Sequence, residues 1–306
     1  NIVLHDQMSL NADVQMADMR YQDFVLATGR AKIQMTGEHG TIQAVATGKK
    51  DVPFNLAVNG TIAPDTYTFA AQGAANDIPF KLNHPAVIRK NGADWVLQPV
   101  KVVMSQGSID LSGRFGENLK GQARLNDLDL SLVNMVQKDL GLTGTASGAI
   151  DFSQSGNAFP TARANLKISH FSRASAAVVS TPVDIALDAQ LNPDRSPANN
   201  YVHAIIRQSG VVVGRAQIAL TPASGGDWIA DINSAAVSGG VRYNGPAGMP
   251  FSLAGLPRQQ LSGAVALAAD VSGQLNDPHL NGVVKATSLT YDTERFGTRI
   301  SNIAIG

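Results

Sequence analysis

Apolar residues stand at every second position through most of the chain, the pattern of a β-strand that buries one face and wets the other. Val100, Val102 and Met104 alternate with Lys101 and Val103, and after a turn at Gln106 and Gly107 the alternation resumes with Ile109 and Leu111 against Asp110 and Ser112. That spacing predicts a hairpin. Val183, Ile185, Leu187, Ala189 and Leu191 alternate with Asp184, Ala186, Asp188 and Gln190, and Trp228, Ala230 and Ile232 alternate with Ile229 and Asp231. Both stretches are predicted as further strands.

Turn chemistry punctuates these runs at short intervals, as at Asn59-Gly60, Asn91-Gly92, Gly156-Asn157, Asn192-Pro193-Asp194 and Asn276-Asp277-Pro278. Such spacing fits a meander or solenoid and leaves no room for alternating strand and helix units. One stretch departs from period two. Over 129–140, Leu130, Val133, Met135, Val136 and Leu140 follow the helical period, with Gly141 as a stop, so one short helix is expected there. The prolines of 249–257 argue against a central strand and suggest a connector, or a loop across the mouth of a groove.

A phrase recurs. Leu142 to Ser153 resembles Leu261 to Ser272, with Pro160, Leu166 and Phe171 then answering to Pro278, Val284 and Leu289. Self-similarity of this kind is what repeat architectures show.

Composition narrows the chemistry. With 306 residues, 44% hydrophobic and 16% charged, the chain is too apolar for disorder. Lysine plus arginine equal aspartate plus glutamate at 24 each, which removes the electrostatic footprint expected of a nucleic-acid partner. Cysteine is absent, excluding disulfides and thiol catalysis, and the six histidines lack ligand spacing. No cofactor, metal site or catalytic constellation is read from the residues; a non-enzyme is expected. Asp151 and Asp270, at matching positions of the repeat, read as outward solubilising charges. Met8, Met16, Met19 and Met35, concentrated near the start, read as soft core filler or, alternatively, as an adaptable lipid or partner surface.

The string from Gly263 through Asp277-Pro278-His279-Leu280-Asn281-Gly282 to Leu289, followed by Gly297 to Ile305, resembles the TamB family of translocation and assembly module proteins, related to the AsmA-like bridge-type lipid transfer proteins. In that family a glycine, a strand, Asp-Pro and a second strand recur many times. Leu128 to Met135 and Leu140 to Gly148 resemble the same family's passage from sheet through short helix to sheet. The match departs at Phe159-Pro160-Thr161, where Asp-Pro would be expected, and weakens before Val100.

The resemblance implies an all-β fold: a long sheet curled lengthwise into an open trough, the β-taco. It divides the chain into a first trough section over 1–99, hairpins and a short helix over 100–141, and repeats over 142–306. It implies a fragment of a longer protein in the periplasm of a Gram-negative bacterium. An inner-membrane anchor would precede it, and an outer-membrane barrel of the BamA-like class, TamA, would follow as partner. The implied function is movement of phospholipid between the membranes, its acyl chains in an apolar groove, in the service of outer-membrane biogenesis. A rigid scaffold or chaperone for outer-membrane protein assembly is the alternative.

Groove candidates are the apolar members of the alternating runs: Val102, Met104, Ile109, Leu111, Ile150, Phe152, Leu166, Ile168, Val183, Ile185, Leu187, Trp228, Ile232, Val265, Leu267, Val271, Val284, Leu289, Ile303 and Ile305. A continuous wall of such side chains suits hydrocarbon, because each methylene taken out of water is worth about 0.8 kcal/mol. Alternation alone fits a closed core packed on itself as well as an open trough. Small residues at inward positions, Gly144, Ala146, Ala164, Gly263, Ala269 and Gly282, either leave room for a ligand or permit curvature.

Overall fold

A computed structural model describes residues 9–21, 24–50, 52–135, 141–174, 180–253, 259–293 and 298–305. The protein is all-β, 77% strand and 5% helical, and its sheet is antiparallel and does not close into a barrel. Contacts divide it into two units, one holding 1–128 and the other 139–306, with 129–138 shared between them. Residue 100, expected to open a new section, lies inside a strand.

The first unit is a meander of β1 (Ser9–Tyr21), β2 (Phe24–Thr36), β3 (His39–Lys50), β4 (Val52–Ala63), β5 (Thr66–Ala75), β6 (Ile78–Leu82), β7 (Ala86–Asn91), β8 (Asp94–Met104), β9 (Ser108–Phe115) and β10 (Asn118–Asp129). Each strand pairs with the next except where β6 and β7 share one place in the sheet. Both pair with β5 on one side and β8 on the other, broken at 83–85 around Pro85. Proline lacks the N–H a ladder needs, which accounts for the interruption.

Directly opposed residues in antiparallel strands share a face, so register sorts the sheet. One transverse row runs Ala12, Ile33, Ile42, Gly60, Phe69 and Ala86, and a parallel row runs Met16, Gly29, Ala46, Leu56, Gly73, Phe80 and Met104. Rows between them hold Asp13, Lys32, Gln43 and Asn59. One face is apolar and the other polar. Glycines on the apolar face each oppose a large side chain: Gly29 Met16, Gly40 Met35, Gly48 Phe54, Gly60 Phe69 and Gly73 Phe80. A methyl group on Gly48 would come within 2.7 Å of the Phe54 ring, and one on Gly73 within 3.0 Å of Phe80. The space over these glycines is filled by their partners, with Met16 and Met35 as filler.

The second unit contains β11 (Leu142–Ser155), β12 (Thr161–Arg173), β13 (Val183–Leu191), β14 (Tyr201–Gln208), β15 (Val211–Thr221), helix α1 (Trp228–Asn233), β16 (Ala236–Pro246), helix α2 (Gly248–Leu253), β17 (Gln259–Gln274), β18 (Asp277–Thr293) and β19 (Thr298–Ile305). Each strand pairs antiparallel with its successor. The helix expected over 129–140 is a short 3-10 turn over Leu130–Met135, and 136–140 lie outside the described residues.

The recurring phrase corresponds to two hairpins with the same irregularities. β11 slips register on β12 at Gly144 (φ +116°), and β17 slips on β18 at Gly263 (φ +108°). Across the ladder, His170 (φ 53°) and Ser288 (φ 55°) stand at the slips toward β13 and β19. Bulges of this kind bend and twist a sheet. Gly144 and Gly263 therefore serve curvature, and a methyl group on either would meet the backbone carbonyl of Ser169 or Ser288. Ala146 and Ala269 are buried.

The curl of this unit is visible in what meets at Met249. With Val183, Val213 and Tyr243 it forms a buried cluster on which Phe171, Ile185, Ile206, Val265 and Leu267 also pack. These residues come from strands as far apart as β12 and β17. Five ladder spacings of about 4.8 Å would put those strands roughly 24 Å apart in a flat sheet. The six-residue helix α2 nevertheless touches both β12 and β17, so the sheet bends around it. The 249–257 connector thus begins as α2, seated on the apolar face.

Candidate functional site

Register gathers the second unit's apolar side chains into parallel rows. Ile150, Ala164, Ala189, Val202, Ile218, Gly239 and Val271 oppose one another in succession. A neighbouring row runs Leu166, Leu187, Ala204, Ala216, Val241 and Ala269, and a third Ala146, Ile168, Ile185, Ile206, Gly214, Tyr243, Leu267 and Val284. Leu289 opposes Ile303 and is buried with Ala247 and Ala286, while Ile305 opposes Ala286. In the first unit Val102 opposes both Leu82 and Ile109, Met104 opposes Phe80, and Leu111 opposes Val100 on the corresponding face.

Most of these side chains are neither buried nor free. Among the strand candidates Val183 and Leu289 are buried, at 2% and 4% exposed; Ile150, Val284 and Ile305 remain 38%, 39% and 46% exposed. The apolar face is a partly wetted surface, filled in places.

Trp228 and Ile232 differ from expectation. The residues 228–233 form α1 instead of a strand, with Asp227 accepting a hydrogen bond from the Ala230 N–H at 2.8 Å as a cap. A cap followed by six residues is short enough for alternation and helical spacing to coincide, since residues four apart share a helix face as well as a strand face. Trp228 and Ile232 still reach the apolar face. Trp228 packs on Phe152 with ring centroids 5.8 Å apart, and Ile232 lines a cavity.

That cavity, about 540 Å³, lies over β12 and β13, where Ala162, Ala164 and Ala189 stand between larger neighbours. Ile150, Leu191, Val202, Ile218, Leu220, Ile232 and Leu275 complete its apolar walls. Of the groove candidates only Ile150 and Ile232 meet here. The sequence carried a signal for the missed walls: Val202, Ala204 and Ile206 alternate with His203 and Arg207, but Ile205 on the polar face obscures the run.

A polar assembly fixes one rim. Asp231, 3% exposed, pairs with Arg195 of the β13–β14 connection at 2.8 Å and accepts the Gly226 N–H at 3.0 Å. The Arg195 guanidinium lies 4.6 Å above the Phe159 ring. Asn200, fully buried, accepts the Asn192 N–H and donates to the Ser196 carbonyl.

The opposite face is charged. Asp270 projects from it with Arg242 at 2.9 Å, Asp110 pairs with Lys101 at 3.5 Å, and Asp151 opposes Arg163. Arg30, hydrogen-bonded to Asp13 at 2.8 Å, holds that carboxyl below the usual range. A hydrogen bond to Asp188 raises the Tyr201 phenol. No family model matches the chain, and neither a curated protein nor a solved structure shows detectable similarity to it.

Proposed function

We propose that this chain is part of a periplasmic, non-enzymatic lipid conduit of the TamB type, in which acyl chains of phospholipid travel along an apolar groove between the inner and outer membranes. One observation carries the reading: in each unit successive transverse rows on one face are apolar and only partly covered, while the rows between carry most of the charges. An ordinary soluble sheet of this size would bury such a face under a second layer, because large exposed apolar patches otherwise bind something. Valine, isoleucine and leucine in unbroken rows suit a guest that slides, since no buried charge interrupts its path.

Photocrosslinking at Leu111, Leu187 and Val265 in cells tests it. Capture of phospholipid at all three is expected, and capture of none would overturn the conduit. A scaffold that guides barrel strands predicts protein adducts instead, and tolerance of charge on the apolar face.

A further inference from the structure

We infer that the cavity lined by Ile232 of α1 is a site for a single unbranched hydrocarbon chain, and that Ile232 sets the length it accepts. The inference deepens the conduit reading and rests on it. At about 540 Å³ the cavity falls in the ~300–1,000 Å³ range of ligand sites. Its floor is a furrow. Ala162 and Ala164 of β12 and Ala189 of β13 lie low, with Ile150 on one side and Val202 and Ile218 on the other. Further along the same two strands Leu166 and Leu187 fill the corresponding space.

Arg163, Gln190 and Tyr201 also border the cavity, but the surface it presents is almost wholly apolar. A hollow with such walls favours apolar guests, so the inserted part is hydrocarbon and the polar end remains outside. A straight chain fits a furrow between strands better than a branched or ring-shaped one. What makes the site a measure is the rigidity of the helix that carries Ile232. α1 is capped by Asp227, tied through Asp231 to Arg195 and braced by Trp228 against Phe152. Ile232, one turn from Trp228, is therefore a fixed wall that an incoming chain meets and does not displace.

The test uses the full chain with Trp95→Phe, which leaves Trp228 as its single tryptophan, and straight fatty acids from decanoic to stearic acid brominated at the terminal carbon. Saturable quenching of Trp228 fluorescence is expected, with affinity rising about fourfold per added methylene up to a limiting length and then levelling. Ile232→Ala moves that limit to longer chains, and Ala189→Leu, which fills the furrow, moves it to shorter ones or abolishes quenching. An unchanged limit in both variants overturns the length measure. Absence of quenching at every length overturns the site itself. Either failure is separable from failure of the conduit, because Leu187 and Val265 lie outside the cavity and report lipid capture independently.

Discussion

Tyr243 packs into the cluster around Met249 and donates its hydroxyl proton to the Pro246 carbonyl at 2.7 Å. Burial raises its phenol from 10.0 to about 12. The protonated form is the one the fold prefers, so its contribution is complete below pH 10 and is lost as pH rises toward 12. Ultraviolet titration should show a tyrosine ionising near pH 12 that is absent in Tyr243→Phe, and alkaline unfolding should set in across that interval. Gly263 gives a second prediction at this scale. Gly263→Ala places a side chain at φ +108° against the Ser288 carbonyl, and a loss of about 1–3 kcal/mol in chemical denaturation is expected. Both residues show how far single positions were legible. The glycines were visible as inward and small, but whether they made room or curvature depends on φ and on the opposing strand, which composition does not encode. Ala164 proved to border a cavity, whereas Gly144 and Gly263 are bulges.

Hairpins were the most legible elements, because period two survives any tertiary context that keeps one face wet. The turn at 106–107 and the strand over 183–191 lie where alternation puts them, and the repeated phrase marks hairpins that share a bulge. Short helices were unevenly legible: the one expected over 129–140 is present as the 3-10 turn Leu130–Met135, but α1 was read as a strand. In 228–233 a helix and a strand present the same apolar positions, and the deciding contact is the Asp231 and Arg195 pair, 36 residues apart in the chain. Asp231→Asn would leave the guanidinium partly buried beside a neutral amide. A destabilisation of about 3 kcal/mol is expected, with α1 loosened first and Trp228 fluorescence shifted to the red before global unfolding.

At the scale of the molecule the decisive property is two-sidedness, repeated in both units. Leu187→Arg puts a charge in the middle of an apolar row, with Leu166 and Ala204 on either side. If acyl chains pass here, lipid capture at Val265 and outer-membrane integrity should fall sharply while circular dichroism stays unchanged; retained function would favour a scaffold. The units nevertheless differ in how they are knit. Among the described residues the apolar clusters all belong to the second unit, where α2 and its methionine join distant strands, whereas the first unit buries only Gly29, Ala86 and Val100 from its apolar face. Mechanical load should expose that difference. In an optical trap the first unit should yield in small successive steps, each releasing a strand or a hairpin, because every ladder there leans mainly on its neighbours. The second should resist until Met249 is extracted and then rupture over many strands at once.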